Sequence, residues 1–344
     1  MLGERAIGAM FASRASQVAP RRFQLPVLAS DLDTSTPSVT VPRTASTALP
    51  GAYSLLTRTS MFRVGKLVDS DRTTVTRLIT DPPGTSLVGT RASWSGIVHR
   101  HPNEVAADAR LIQLSHRGEV APAWMLPPPS RSDTWSIHLP GLGASHLSAL
   151  RSAELVGTAG IGSIVIDGPA THHTFGIRER ALVEAAVSEA LKAGAKKIIG
   201  VGWSYGTNAI LQHVASGGRL DAAIFVSPHL QWRTRIEAAA RAAHVPANVL
   251  RLGICGIEDR LSKRVHRPVL LEDLGWPSER LLPMPLLMLH SDGDETLDFR
   301  ETVAFAAEQP GADLVQLPTA PHTLEWNAGG DATRDAVARF LRRV

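Results

Sequence analysis

Gly202-Trp203-Ser204-Tyr205-Gly206 reads G-x-S-x-G, between the apolar run Lys197-Ile198-Ile199-Gly200-Val201 and the helix-compatible Thr207-Asn208-Ala209-Ile210-Leu211-Gln212. A strand, a sharp turn and a helix in that order lift a serine hydroxyl clear of the backbone, the arrangement needed for a nucleophile in acyl transfer. The glycines matter sterically, because a Cβ two positions before or after the serine would meet the neighbouring strand or helix. The helix behind the serine directs backbone N–H groups and its positive dipole end toward the place where an oxyanion would form.

A serine hydroxyl is a weak nucleophile at neutral pH and needs a histidine base held by a carboxylate. Leu286-Leu287-Met288-Leu289-His290-Ser291-Asp292-Gly293-Asp294 ends an apolar strand in an acidic turn. Asp294 is the expected acid, with Asp292 the neighbouring alternative and a turn role the plain explanation for either. Leu314-Val315-Gln316-Leu317 followed by Ala320-Pro321-His322-Thr323 makes His322 the expected base. The chain order serine, acid, histidine is one of the known orders for such a triad. Two N–H donors should complete the site. Tyr205 supplies the first, and His138-Leu139-Pro140-Gly141-Leu142-Gly143 the second, through Leu142 or alternatively Gly141.

These groups need a scaffold that brings strand ends together. Strands are expected at Trp135–Leu139, Ser163–Asp167, Lys197–Val201, Ala222–Ser227, Leu286–His290 and Asp313–Leu317, mostly short apolar runs that suit parallel strands covered on both faces. Helical segments alternate with them, the clearest being Arg178–Ala193, stopped by Gly194, and Asp331–Arg342. The alternation predicts an α/β fold with a doubly wound, mostly parallel sheet over residues 131–344. Residues 230–283 interrupt it, with Arg235–Ala243 helical and Pro246 a breaker, and are expected to form a small helical lid. Residues 51–130, with β-type runs such as Thr74–Ile79 and Arg110–Leu114 and the turn Asp81-Pro82-Pro83-Gly84, should add antiparallel strands to one edge of that sheet. Residues 1–50, rich in Ser, Thr, Pro and Arg, are expected to be an extended or poorly ordered N-terminal extension.

Composition narrows the function classes. The chain has 344 residues, 44% hydrophobic and 20% charged, ordinary for a soluble globular protein. A net charge of +4 without a basic stripe interleaved with aromatics gives no reason to expect nucleic acid as a partner. No apolar stretch is long enough for a transmembrane helix, and the apolar patch Ala6–Ala12 is too short for a signal sequence, so a cytoplasmic location is expected. The single cysteine, Cys255, excludes an intrachain disulfide and a cysteine metal cluster, and is expected to be a buried structural thiol. His138, His146, His172 and His173 cluster near Asp167, but without the helical spacing of a metal motif, and no metal or other cofactor is expected. His172 and His173 are expected at a pocket rim. Trp203, Trp232 and Trp276 suit either pocket walls or ordinary core.

Taken together, these pieces resemble the α/β-hydrolase superfamily, and more narrowly its lidded bacterial hydrolases. Those carry W-V-x-x-x-H-G-R-G-A-S, G-W-S-M-G-G and G-x-G-H-x-x-x-W-N segments. The matching pieces are Trp135 to Ser145, Gly202 to Gly206, and Pro321-His322-Thr323-Leu324-Glu325-Trp326-Asn327, and Ser227 to Arg233 is similar to the segment entering the lid. The resemblance runs from about Ala121 to the C-terminus and implies nucleophile Ser204, acid Asp294 and base His322. Pro140 stands where the family has the histidine of its H-G-x-G loop, Thr207 replaces the second elbow glycine, and Pro321 replaces the glycine before the histidine. The implied function is hydrolysis of a small-molecule carboxylic ester through an acyl-enzyme, with no cofactor. Thioester hydrolysis or acyl transfer by the same triad, and a non-catalytic binding protein on the same fold, are the alternatives.

Overall fold

The computed structural model describes residues 13, 20–82, 84–168, 173–277 and 280–344; the Ala6–Ala12 patch, Pro83 and His172 lie outside the described residues. Strands β1 (Leu25–Pro26), β2 (Ala29–Asp31), β3 (Ser38–Pro42), β4 (Tyr53–Leu56), β5 (Met61–Ser70), β6 (Thr74–Ile79) and β7 (Arg91–Ser95) form an antiparallel sheet in the order β1-β7-β4-β5-β6-β3-β2. Alternation drives it: β3 buries Val39 and Val41 and β6 buries Val75 and Ile79, while the threonines between them are only half-buried. Arg77 also points inward from β6. Its guanidinium donates to the carbonyls of Thr47 at 3.0 Å, Gly51 at 3.1 Å and Gly65 at 2.7 Å, and also to that of Leu49. A buried charge is tolerable when its donors are satisfied in this way.

A second sheet contains β8 (Arg110–His116), β9 (Glu119–Leu126), β10 (Thr134–Leu139), β11 (Gly162–Ile166), β12 (Lys197–Trp203), β13 (Ala222–Val226), β14 (Leu286–His290) and β15 (Ala312–Gln316). Its order is β15-β14-β13-β12-β10-β11-β9-β8. From β11 to β15 neighbouring strands are parallel; β9 and β8 are antiparallel additions at one edge. β11, β13 and β14 are buried at every position, as continuous apolar runs between two helical layers must be. On one face, Ile164 and Ile166 pack with Val183 of helix Glu179–Lys192 and Ile210 of helix Tyr205–Ala215. On the other, Val165 and Val201 pack with Leu150 of helix His146–Gly157 and Phe340 of helix Asp331–Leu341.

The protein is therefore a mixed α/β fold with two sheets, where a single doubly wound sheet was expected. Only Arg110–His116 and Glu119–Leu126 join the main sheet from the stretch expected to supply its edge. The earlier strands pair with each other, and the segment expected to be an N-terminal extension contributes β1, β2 and β3 to that pairing. Asn327, in the short helix Glu325–Gly329, ties the first sheet to the rest of the fold: its Nδ2 donates to Ala52 O at 2.7 Å and Gly96 O at 3.0 Å, beside β4 and β7.

Between β13 and β14 the chain forms helices Trp232–Ala242 and Ala247–Val265 and a short 3-10 turn, Glu272–Leu274. They share a small core containing Trp232, Ile236, Ile257 and Leu261, closed below by Phe175 and Tyr205. Cys255 is exposed, contrary to expectation. The buried stripe of its helix is Gly253, Ile254, Ile257 and Leu261, and position 255 falls off that face. No helix among the described residues is long and apolar enough to cross a membrane.

Candidate active site

Ser204 sits where β12 turns into helix Tyr205–Ala215, with φ 50° and ψ −115°. A non-glycine residue holds such a conformation only when its surroundings over-determine it. Here the Ser204 N–H donates to Val226 O on the adjacent strand at 2.9 Å, and its carbonyl accepts from His229 N at 3.3 Å. A Cβ on Gly202 would sit 2.6 Å from Thr207 Cα, and one on Gly206 would sit 2.4 Å from Leu139 O. Both glycines are required by close approach. Thr207, fully buried, fits because its hydroxyl turns back to donate to Gly202 O at 3.3 Å.

The acid and base arrive from the ends of β14 and β15. Ser204 Oγ lies 2.8 Å from His322 Nε2, and His322 Nδ1 lies 2.5 Å from Asp294 Oδ2. With Nδ1–H donating to the carboxylate, Nε2 is left to accept from the serine hydroxyl. Asp294 is buried, and its Oδ1 accepts from the N–H groups of Thr296 at 2.8 Å and Leu297 at 3.0 Å. Burial opposes its ionisation, yet the hydrogen bonds from His290, His322 and the backbone hold its carboxyl well below the usual carboxylate range. Asp292 is exposed and accepts from Thr319 Oγ1 at 2.7 Å, bracing the loop and lying outside the chain of contacts.

The two loops are tied together. Ser291 Oγ accepts from Gly293 N at 3.1 Å and Ala320 N at 2.8 Å, and a Cβ on Gly293 would sit 2.8 Å from Ala320 N. Thr323, next to His322, has φ 63° and donates its N–H to Ser227 Oγ at 3.2 Å. Ser227 in turn donates to buried Glu325, whose carboxyl is pushed up by burial. Arg151 donates to Thr323 O at 3.1 Å and to Asn327 Oδ1, and lies over the Trp203 ring at 4.2 Å.

His290, which sequence reasoning did not single out, completes the support. It is fully buried, with Nε2 3.0 Å from Asp294 Oδ2 and Nδ1 2.8 Å from Thr302 Oγ1. The available signal was a histidine at the end of an otherwise apolar buried strand, where a polar ring must find partners.

Of the expected oxyanion donors, Tyr205 opens the helix directly after Ser204. Leu142 is 38% exposed in a turn closed by Ala144 N donating to Gly141 O at 3.1 Å, with Gly143 at φ 72°. Gly141 packs against the nucleophile: a Cβ on it would sit 3.4 Å from Ser204 Cβ. The described histidines of the group around Asp167 have separate partners. His138 is fully buried between Ser136 Oγ and Ser152 Oγ, at 2.8 and 2.9 Å, and burial pushes its pKa down to about 3. His146 Nδ1 lies 3.1 Å from Asp167 Oδ2, and His173 stacks on Trp232. Among the described residues no group of three or more His, Cys, Asp and Glu side chains is placed to hold a metal.

A cavity of about 660 Å³ opens above Ser204. Its floor includes Gly141, Ser204, His322 and Trp203, and its roof Trp232, Arg235, Ile236 and Val245 from the helical insertion. Trp276 lies apart, buried, with Nε1 donating to Arg280 O at 2.6 Å.

No curated protein matches this chain. A family described as a domain of unknown function (DUF8805) matches residues 26–95, the span of the first sheet. Among solved structures, the esterase Pf2001 of Pyrococcus furiosus is similar at 16% identity, with 72% of this chain and 96% of that chain covered and a TM-score of 0.56. Est1E from Butyrivibrio proteoclasticus is similar at 18% identity, covering 68% of this chain and 98% of that chain, with a TM-score of 0.50. The strand order, the helices on both faces and these likenesses agree: this chain has an α/β-hydrolase-like fold.

Proposed function

We propose that the protein is a serine hydrolase that cleaves a carboxylic ester through an acyl-enzyme. The observation that carries this reading is the continuous hydrogen-bond chain from Ser204 Oγ through the His322 ring to Asp294. Ser204 Oγ attacks the ester carbonyl while His322 Nε2 takes its proton, and Asp294 holds the ring and stabilises the imidazolium. His322 then gives the proton to the departing alkoxide, and water enters by the same route to release the acid. The N–H of Tyr205 and one from the Gly141–Leu142 turn hold the oxyanion, each such donor being worth about 2.7–4 kcal/mol. Residues 230–283 act as a lid whose first helix gives the substrate an apolar roof, which favours an apolar acyl group. The esterases among the similar structures support the same reading.

The test is turnover of p-nitrophenyl esters of increasing acyl length, with Ser204→Ala as the control. Ser204-dependent release of p-nitrophenol is expected. Turnover that survives in Ser204→Ala, or none at any chain length from folded protein, would count against the proposal.

A further inference from the structure

His229 and Arg235 are polar side chains of the cavity that take no part in that chemistry. His229 follows the end of β13, is only 4% exposed and lines the cavity. Neither of its ring nitrogens has a hydrogen-bond partner among the described residues. Its backbone N–H donates to Ser204 O at 3.3 Å, and its ring meets Trp232 edge-on with centroids 4.0 Å apart, so it stands beside the nucleophile and under the roof. Burial, reinforced by nearby Arg235, His322 and His173, pushes its pKa down to about 3. The ring is neutral and offers one N–H donor. Leaving such a donor buried and unpaired is costly, and a ligand that pairs with it recovers that cost.

Arg235 lines the same cavity from helix Trp232–Ala242 and is half-buried. Its neighbour Arg233 pairs with Glu237 and Glu272, whereas no carboxylate lies within ion-pair distance of Arg235 among the described residues. Among the described residues no Asp or Glu lines the cavity. The other arginine there, Arg151, is already committed to Thr323 O and Asn327 Oδ1. Besides the hydroxyls of Thr296 and Thr323, the unused polar capacity is a guanidinium and an imidazole N–H, set among the apolar surfaces of Trp232, Ile236 and Leu297. Two donors, one of them cationic, among apolar surfaces are complementary to a carboxylate on an apolar chain.

We propose that His229 and Arg235 together recognise a carboxylate, so that the substrate is an ester whose acyl part carries a second, free carboxylate. This rests on the hydrolase reading above. The experiment compares kcat/KM for the mono-p-nitrophenyl ester of suberic acid with that for p-nitrophenyl octanoate, which has the same acyl length without the charge. A charge-assisted contact predicts a preference of about 10-fold or more for the suberate ester, carried mainly by KM. Arg235→Gln and His229→Phe should each bring the ratio toward one, and Arg235→Lys should restore part of it. Arg241→Gln, exposed on the same helix and outside the cavity lining, should leave the ratio as in the wild type. A ratio near one in the wild type, or one kept by both Arg235→Gln and His229→Phe, overturns the assignment. Fluorophosphonate labelling of Ser204 in the same samples separates the two failures. Labelled protein with no preference sinks only the carboxylate site, and unlabelled wild type sinks the hydrolase reading with it. Protection of Ser204 from labelling by free suberate, at concentrations where 1-octanol gives none, is the expected binding result and does not depend on turnover.

Discussion

The floor and the roof of the cavity treat polar groups in opposite ways. On the floor, Ser204, His322, Asp294 and His290 form one connected series of hydrogen bonds, each member fixed by the next and by backbone amides from the same loops. Toward the roof, among the described residues, the His229 ring beneath it has no hydrogen-bond partner and Arg235 has no counter-charge, and the surfaces of Trp232, Ile236 and Leu297 around them are apolar. A network satisfied before any ligand arrives is preorganised and costs little further ordering during reaction. Groups left unsatisfied are where a ligand can add interaction. The division assigns chemistry to the floor and recognition to the roof, so floor substitutions should act on kcat and roof substitutions on KM.

The largest effect is expected for Ser204→Ala, which should lower kcat by about 10⁶-fold with KM little changed, as read from steady-state hydrolysis of a p-nitrophenyl ester. Asp294→Asn should cost about 10⁴-fold in kcat, because the amide no longer fixes the reactive tautomer of His322. The same variant reports on stability. The Asp294 carboxyl in the folded protein lies below its unfolded value of about 3.9. Its contribution is therefore complete above about pH 5 and lost as pH falls through the folded pKa. In urea denaturation, wild type and Asp294→Asn should differ by a constant amount above about pH 5 and converge at lower pH. A gap that widens on acidification would contradict the assignment.

Smaller effects sharpen the division. Gly206→Ala drives a Cβ against Leu139 O and should destabilise the fold by about 1–3 kcal/mol, measurable as a lowered urea midpoint. His290→Phe removes one donor to Asp294 and should lower kcat about 10-fold while leaving KM in place. The smallest change is expected on the roof: Ile236→Ala should raise KM for a long-chain ester by about 10-fold or less, with kcat nearly constant. If His290→Phe moved KM or Ile236→Ala moved kcat, the separation of floor from roof would fail.

What could be read from the sequence follows the range of the interactions. The elbow is local, since two glycines, a strand and a helix within a short stretch carry its geometry. The acid and base positions follow from chain order and strand ends, and the structure brings His322 within hydrogen-bonding distance of both Ser204 and Asp294. The parallel strands were legible because runs such as Ala222–Val226 are apolar throughout. Other features depend on partners far apart in the chain. His290 gains its meaning from Thr302 and Asp294, and the contacts of Arg151 with Thr323 and Asn327 join residues 172 and 176 positions apart. Ser38–Pro42 was not read as a strand, because a polar, proline-rich neighbourhood masks its short alternation, and pairing with β6 supplies the order that composition alone does not. Helix Ala247–Val265 contains Gly253 and Gly256, poor helix formers, and is held by packing of Ile254, Ile257 and Leu261.

Intact-mass and peptide-mapping analysis after treatment with a fluorophosphonate probe tests the central claim most directly. The account predicts one adduct per chain, on Ser204, absent from Ser204→Ala and strongly slowed in His322→Ala. Folded wild-type protein that takes up no adduct, or carries it on another residue, would contradict it.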